Sequence, residues 1–106
     1  MPNDFYQVSL KLIIKNKEGE TLILKAAHKG SYVGFYDLPG GRIKINEFQT
    51  AFEKLLSREV REELGEKVKI NVSFKPVAIG RHLIPAALIK KPDDIHVLYI
   101  FLKLNI

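Results

Sequence analysis

Three glutamates in residues 58–65 have a spacing that could hold a metal ion. Glu59 is followed three and four positions later by Glu62 and Glu63 in the segment REVREELG. On a helix that turns ~100° per residue, these side chains fall on one face. The apolar side chains that share this face are Phe48, Phe52 and Leu55. The carboxylates are therefore predicted on the core-facing side of the helix rather than on its solvent side.

Carboxylates on a core-facing side repel one another and lose hydration, so a cation has to neutralise them. They also stand near the C-terminal end of the helix, where the helix dipole disfavours negative charge. A divalent ion fits this requirement, because Mg²⁺ binds carboxylates together with phosphates and water. In the structural alternative, the glutamates extend past the core and pair with Arg58, Arg61 or Lys67. The helix by itself leaves both interpretations open.

The elements around this helix follow the order β-β-loop-α-β-β-β. We predict strands over residues 6–15, 21–27, 67–74, 77–84 and 95–104. One long helix is predicted over residues 46–64, with Asn46 and Gln49 as a capping box and Gly65 at its end. A hairpin turn is predicted around Gly19, and residues 85–94 are expected to form a loop.

This order indicates an α+β fold with a mixed sheet, in a single domain over residues 1–106. One helix covers only one face of a sheet, and the sequence reaches Ile106 inside the last predicted strand, so that a C-terminal helix is missing. We therefore expect a C-terminally shortened domain, or a partner on the open face. A homodimer is one such arrangement.

The composition restricts the partners that this protein can have. It has no cysteine, which excludes disulfides and thiolate metal sites, and its first residues do not form a signal peptide. The apolar runs are too short to span a bilayer, so a soluble cytoplasmic protein is expected. A net charge of +5 favours an anionic partner. The lysines, Lys11 among them, are scattered, which argues against a nucleic-acid partner and is typical of a solvated surface.

The helix follows the segment YDLPGGRIKINE, and the two together resemble the signature of the Nudix hydrolase family. That signature is G-x5-E-x7-R-E-U-x-E-E-x-G-U, in which U is a bulky apolar residue. Gly41 and Glu47 match its first part, and REVREELG matches the fixed positions of its second part. Ten residues rather than seven separate Glu47 from Arg58, and Glu66 takes the final apolar position. The resemblance covers residues 38–65.

The resemblance implies an α/β/α sandwich and a hydrolase that uses Mg²⁺ or Mn²⁺ to cleave a pyrophosphate linkage. The substrate would be a nucleoside diphosphate derivative, in the class of ADP-ribose, nucleotide sugars or nucleoside triphosphates, oxidised or not. Glu62 and Glu63 would be the principal metal ligands. Glu59 would be a further ligand, or the residue that orients and deprotonates the attacking water.

Three more residues have supporting roles that the resemblance implies. The Gly40 carbonyl would complete the metal shell, Arg58 would hold the glutamates by a salt bridge, and Glu47 would be an outer ligand. Independently of the resemblance, a glycine pair lets the backbone come close to ions, which suits a site for a charged pyrophosphate.

Two further interpretations concern the use of this scaffold. It could serve a non-catalytic module that senses a nucleotide or binds a partner, which the longer spacing and the basic surface would suit. The aromatic residues before LPGG could stack on a nucleobase or pack within the loop and on the sheet; they are Tyr32, Phe35 and Tyr36.

Overall fold

A four-stranded mixed sheet carries one long helix on one of its faces. The structure, a computed structural model, describes residues 1–25, 36–66 and 71–105. The elements in chain order are β1 (Gln7–Lys15), β2 (Leu24–Lys25), β3 (Tyr36–Asp37), β4 (Gly40–Arg42), a 3-10 turn (Ile45–Glu47), α1 (Phe52–Leu64), β5 (Asn71–Ile84), α2 (Ala86–Ile89) and β6 (Ile95–Asn105). The predicted α+β class with a mixed sheet is confirmed.

The main sheet has the strand order β4-β1-β6-β5. β1 runs parallel to β6 and antiparallel to β4, and β5 pairs antiparallel with β6. A separate antiparallel pair joins β2 to β3. The register sets Leu10 opposite Gly41 and Lys11 opposite Gly40. The glycine pair therefore forms an edge strand of the sheet, next to the middle of β1.

The core lies between this sheet and α1. Strand β1 alternates as a half-buried strand should, with every second side chain directed at the helix. The buried side chains that pack together are Leu10, Leu12, Ile14, Leu55, Leu56, Val60 and Leu102. This packing fixes α1 against β1, so that its C-terminal half is held beside the edge strand β4. A homodimer across the other face of the sheet stays a prediction.

The long helix begins at Phe52, and the prediction that it begins at Asn46 is wrong. Ile45–Glu47 form a separate 3-10 turn, and Ala51 is extended (φ −61°, ψ 143°) immediately before the helix. A continuous helix would direct Phe48 to the buried face, but this residue is 92 % exposed. The three residues added to the family spacing are therefore accommodated ahead of the helix and do not lengthen it.

A capping interaction between Lys44 and Glu47 takes the place of the predicted one between Asn46 and Gln49. The backbone N–H of Lys44 donates to Oε1 of Glu47 at 2.8 Å, and the N–H of Glu47 donates to the Lys44 carbonyl at 2.9 Å. The turn thus starts two residues earlier than predicted. Its geometry leaves the second carboxylate oxygen of Glu47 to meet a partner on the helix.

The buried face of α1 consists of Leu55, Leu56 and Val60. This face is rotated away from the predicted stripe, because Phe48 does not belong to the helix and does not anchor it. Glu62 consequently lies off the buried face, and its side chain is 60 % exposed. The prediction that all three glutamates continue the buried stripe is wrong for Glu62, and it holds only in part for Glu63, which is exposed although its carboxylate reaches the strand backbone.

The strands after the helix also differ from prediction. One strand, β5, takes the place of the two predicted over residues 67–74 and 77–84, with its pairing to β6 irregular on both sides of Pro76. A proline is tolerated there because β5 is an edge strand and the ladder is already interrupted. The predicted loop at residues 85–94 contains the one-turn helix α2. Residues 26–27 and 67–70 lie outside the described residues.

No helix in the described part of the chain is both long enough and apolar enough to cross a bilayer.

Candidate active site

Two carboxylates from α1 lie directly on the glycine pair of β4. The backbone N–H of Gly40 donates to Oε2 of Glu63, with 3.3 Å between nitrogen and oxygen. A Cβ atom built on Gly41 would stand only 2.6 Å from Oε1 of Glu59. At Gly40, where φ is +140°, a Cβ atom would overlap the Leu10 carbonyl oxygen at 1.9 Å. The close contact of helix carboxylates with strand backbone therefore depends on the absence of side chains at both glycines.

Arg58 is the cation around which three glutamates are arranged. Its Nη1 forms a hydrogen-bonded ion pair with Oε2 of Glu47, and its Nη2 lies 3.5 Å from Oε1 of Glu59. Its Nε is 3.7 Å from Oε1 of Glu62, one helical turn away. The hydrogen bond from Arg58, together with that from the Lys44 N–H, holds the pKa of Glu47 below its usual range. Glu47 is 7 % exposed, so the pair ties the 3-10 turn to the helix.

A helix running from Glu47 to Arg58 could not make this contact. Eleven residues at ~1.5 Å each would separate the two positions by about 16 Å along the axis. The turn that ends the Ile45–Glu47 segment brings the chain back instead. The longer spacing is thus compatible with a contact between the two residues, and the added residues form the turn that allows it.

The carboxyl group of Glu63 has a pKa raised to about 7. Burial of the group against the strand is the largest cause, although much of the residue remains exposed to solvent. The hydrogen bond from Gly40 and the charge of Lys11 lower the pKa, whereas the charges of Glu59 and Asp37 raise it. The carboxylate form of Glu63 is therefore incompletely compensated by the protein, and a bound cation would stabilise it.

These groups line an open cleft of about 1800 Å³, which is large enough for a nucleotide. Its charged lining residues in the described part of the chain include Lys11, Lys25, Asp37, Arg42, Lys44, Glu47, Glu59 and Glu63. Tyr36 and Tyr99 also line it. The cleft thus has glutamates on the helix side and cations on the sheet side, an arrangement suited to a phosphate held between a metal ion and a lysine.

The predicted site residues are only partly brought together. Gly40, Glu47, Glu59 and Glu63 line the cleft, whereas Glu62 does not and is directed at Arg58. Within residues 1–25, 36–66 and 71–105, no group of three or more acidic or histidine side chains is close enough to bind one metal ion.

The donor chemistry nevertheless fits Mg²⁺. The carboxylate oxygens of Glu59 and Glu63 lie against Gly41 and Gly40, which are adjacent residues of β4. Hard divalent cations prefer such oxygens. The uncompensated charge at Glu63 is what a cation would neutralise. A Mg²⁺ ion would have two carboxylates to bind, with phosphate and water to complete its shell.

Sequence reasoning missed the place of Lys11 in this cleft. Lys11 was assigned to the solvated surface, but its side chain is only 12 % exposed and its Nζ lies 2.6 Å from Oδ2 of Asp37. The same Nζ is 5.7 Å from the centre of the Tyr99 ring. The available signal was a lysine alternating with leucines in SLKLII, on a strand that is otherwise apolar. Tyr36, which was considered, lines the cleft, whereas Tyr32 and Phe35 lie outside the described residues.

Comparison with known proteins shows similarity in sequence over part of the chain, and similarity in fold over most of it. No model of a known protein family matches the chain. Over 66 residues the chain is 38 % identical to the nucleoside triphosphatase NudI of Enterobacter sp. (strain 638), a match that covers 62 % of this chain. The match covers 44 % of that relative, so the chain corresponds to less than half of its length.

Solved structures of similar fold include a MutT protein from Methanosarcina mazei Go1, with a TM-score of 0.56 and 24 % identity over 92 % of this chain and 62 % of the other. A Nudix hydrolase from Nitrosomonas europaea has a TM-score of 0.54 and 18 % identity, covering 95 % of this chain and 59 % of the other. The predicted resemblance is confirmed: this chain has the fold of the Nudix hydrolases, and over 66 residues it is similar in sequence to the nucleoside triphosphatase NudI.

Proposed function

We propose that this protein is a divalent-metal-dependent hydrolase that cleaves the pyrophosphate linkage of a nucleotide. The observation that carries the proposal is the placement of Glu59 and Glu63 on the backbone of Gly40 and Gly41, within one cleft. Two carboxylates that lean on glycine backbone form an oxygen-lined position for a hard cation. The relationship to Nudix hydrolases supplies the reaction class.

The metal would be Mg²⁺ or Mn²⁺, held by Glu59, Glu63 and the Gly40 carbonyl. When bound, such an ion neutralises phosphoryl oxygens and lowers the pKa of a coordinated water. Glu62 enters this ligand set only if its side chain turns from Arg58 toward the cleft, which rotation about its own side-chain bonds permits because it is exposed. Glu59 is the carboxylate that would also orient the attacking water.

Arg58 has a positioning role in this proposal. Its guanidinium spans Glu47, Glu59 and Glu62, so it limits the repulsion between carboxylates and keeps Glu59 over Gly41. Glu47 binds the other side of Arg58 and ties it to the turn before the helix. We assign Glu47 to this anchoring. It could act as an outer metal ligand only if its carboxylate left Arg58 for the metal ion.

The substrate class that we propose first is the nucleoside triphosphates. The relative with the recognised sequence match is named as a nucleoside triphosphatase. A triphosphate offers a chain of anionic groups that can reach from the glutamates to the cations on the sheet side of the cleft. ADP-ribose, nucleotide sugars and oxidised nucleoside triphosphates remain in the same class, because they share the pyrophosphate linkage.

The test is turnover with and without metal. Purified protein should hydrolyse at least one member of a panel of nucleoside triphosphates, ADP-ribose and nucleotide sugars when Mg²⁺ is present, and should stop when EDTA is added. The products are pyrophosphate or phosphate with a nucleotide from a triphosphate, and a nucleoside monophosphate with a sugar phosphate from the other two substrates. Glu63→Gln should lower kcat by 10²-fold or more, roughly 3 kcal/mol of barrier. Glu53→Gln, on the exposed side of the same helix, is the matched control and should leave kcat unchanged. A folded protein with no turnover on any substrate in Mg²⁺ or Mn²⁺ would contradict the proposal.

A non-catalytic nucleotide-binding module is the second candidate. It is favoured by the absence, in the described residues, of three carboxylates gathered for one metal ion. Calorimetry separates the two candidates, because a module would bind a nucleotide with the same affinity in EDTA and in Mg²⁺ and would release no product.

A further inference from the structure

Lys11 is a mostly buried lysine on the cleft side of the sheet. It stands in the middle of β1 between the buried Leu10 and Leu12, opposite Gly40 in one neighbouring strand and Phe101 in the other. Its side chain is 12 % exposed, yet its ammonium group reaches the cleft. An ammonium group withdrawn from water is costly unless an anion compensates it. The position therefore favours an anionic partner beside the ammonium group.

The partner in the structure is a carboxylate at the surface. Oδ2 of Asp37 lies 2.6 Å from Nζ of Lys11, but the Asp37 side chain is 59 % exposed. The other carboxylate oxygen, Oδ1, accepts a hydrogen bond from the Leu38 N–H at 2.7 Å, which holds Asp37 at the start of the LPGG turn. An ion pair open to solvent on one side contributes little to stability. A better anion could replace Asp37 without disrupting the fold.

The charges around the cleft indicate which anion that is. Glu59 and Glu63 of α1 lie beside the glycine pair of β4, and Lys11 of β1 is opposite Gly40. The cation and the two carboxylates therefore line the same cleft, the cation from β1 and the carboxylates from α1. The charge of Lys11 is close enough to act on Glu63. A phosphate chain that binds a metal ion at the glutamates would place its next phosphate near the ammonium group of Lys11. The ammonium group lies over the ring of Tyr99, which also lines the cleft, so that a cation–π contact accompanies the ion pair.

We propose that Lys11 is a phosphate-binding residue of this cleft, and that Asp37 occupies its ammonium group until a substrate phosphate displaces it. The inference rests on the proposed function, since it assigns the group that binds the phosphate next to the one attacked. Lys11 would donate to phosphate oxygens with the three hydrogens of its ammonium group. Asp37, released, would remain held by the Leu38 N–H at the mouth of the cleft.

The test compares opposite effects of two substitutions on binding, without any hydrolysis. Calorimetry in EDTA measures the Kd of ADP and of inorganic pyrophosphate, so that the result does not depend on metal or turnover. Lys11→Met should weaken binding roughly tenfold or more, the value of a charge-assisted hydrogen bond. Asp37→Asn should tighten binding severalfold, because the competing carboxylate loses its charge. Lys15→Met is the matched control, because Lys15 lies on the same strand and face but is exposed and does not line the cleft.

Several outcomes would overturn the inference. Unchanged Kd in Lys11→Met, or weaker binding in Asp37→Asn, would show that the pair is only structural. Lys11→Arg, which keeps the charge, should retain most of the affinity, and Lys11→Gln, which lacks the charge but stays polar, replaces Lys11→Met if the latter unfolds and should show the same loss. Should the wild-type protein bind pyrophosphate in EDTA but never hydrolyse a nucleotide, the subsite would stand and the hydrolase proposal would fail. If it hydrolyses nucleotides while Lys11→Met leaves both KM and Kd unchanged, the reverse holds.

Discussion

Substitution of Gly41 by alanine should separate catalysis from folding. The new Cβ atom would stand 2.6 Å from Oε1 of Glu59, where an ordinary contact needs 3.4 Å or more, so the carboxylate has to retreat by about 0.8 Å. Displacement of a catalytic group by ~1 Å can cost roughly 10²-fold in rate. We therefore expect kcat of Gly41→Ala to fall roughly 10²-fold, about 2.7 kcal/mol of barrier.

The same substitution should leave the fold nearly intact. Gly41 has no positive φ, unlike Gly40, so alanine introduces no backbone strain. The atoms that the new Cβ meets belong to the end of a flexible side chain, which can move. Alanine also reduces the conformational entropy of the unfolded chain, which stabilises the folded protein by about 0.4–1 kcal/mol relative to glycine. The melting temperature should therefore stay close to that of the wild type. Gly80→Ala is the control for a glycine within a strand, because its Cβ would meet Phe101 at an ordinary 3.4 Å.

The assay is steady-state hydrolysis of a nucleoside triphosphate in Mg²⁺, with the melting temperature measured on the same samples by circular dichroism. A double-mutant cycle gives the sharper result. If Gly41→Ala acts only by moving Glu59, it should change kcat by less than about twofold in a Glu59→Gln background. Wild-type kcat in Gly41→Ala would refute the reasoning, as would equal losses in the two backgrounds.

Three further predictions follow from the contacts of the site. Gly40→Ala should destabilise the protein by about 3 kcal/mol or more in urea unfolding, because its Cβ would overlap the Leu10 carbonyl oxygen at a φ of +140°. Glu47→Gln should flatten the loss of stability in acid: the pKa of Glu47 is lowered by Arg58, so its contribution is complete above its unfolded pKa near 4.5 and disappears as the pH falls through the folded value. Binding of Mg²⁺ at pH 7 should release protons from Glu63, whose pKa is about 7, and release should be lost at pH 9 and in Glu63→Gln.

Each of these has a result that would contradict it. Wild-type stability of Gly40→Ala would mean that β4 does not approach β1 as closely as described. If the stability of Glu47→Gln fell with decreasing pH as steeply as that of the wild type, the ion pair between Glu47 and Arg58 would not contribute to stability. Calorimetry in buffers of different ionisation enthalpy measures the released protons, and equal release at pH 7 and pH 9 would exclude Glu63 as their source.

The features that could be predicted from the sequence are those set by neighbouring residues. Strand β1 was predicted over residues 6–15 and is observed over Gln7–Lys15, because enrichment in β-branched and aromatic residues is a local property. The hairpin turn is confirmed by Gly19, whose φ is +82° and whose N–H donates to the Asn16 carbonyl. The predicted end of α1 at Leu64 is also confirmed, because Gly65 takes a positive φ of 96° that ends the helix locally.

The start of α1 and the face that it buries could not be predicted in this way. Local pattern favoured a helix from Asn46, since Phe48 and the residues after it repeat with helical period. Glu47 instead pairs with Arg58, eleven positions later, and caps Lys44, so the chain turns before the helix begins. Interactions between distant positions outweighed local propensity, which is a weak preference when such contacts compete.

By itself, the sequence determined the class of fold, the family resemblance and the segments that form the site, because the glycine pair and the glutamate spacing are visible in one dimension. Only the tertiary structure decided which carboxylates meet the glycines. It directs Glu62 at Arg58, and it buries Lys11 beside Asp37, a residue 26 positions away. Both outcomes depend on how β1, β4 and α1 pack, since burial and charge pairing are properties of the assembled elements and not of any one segment.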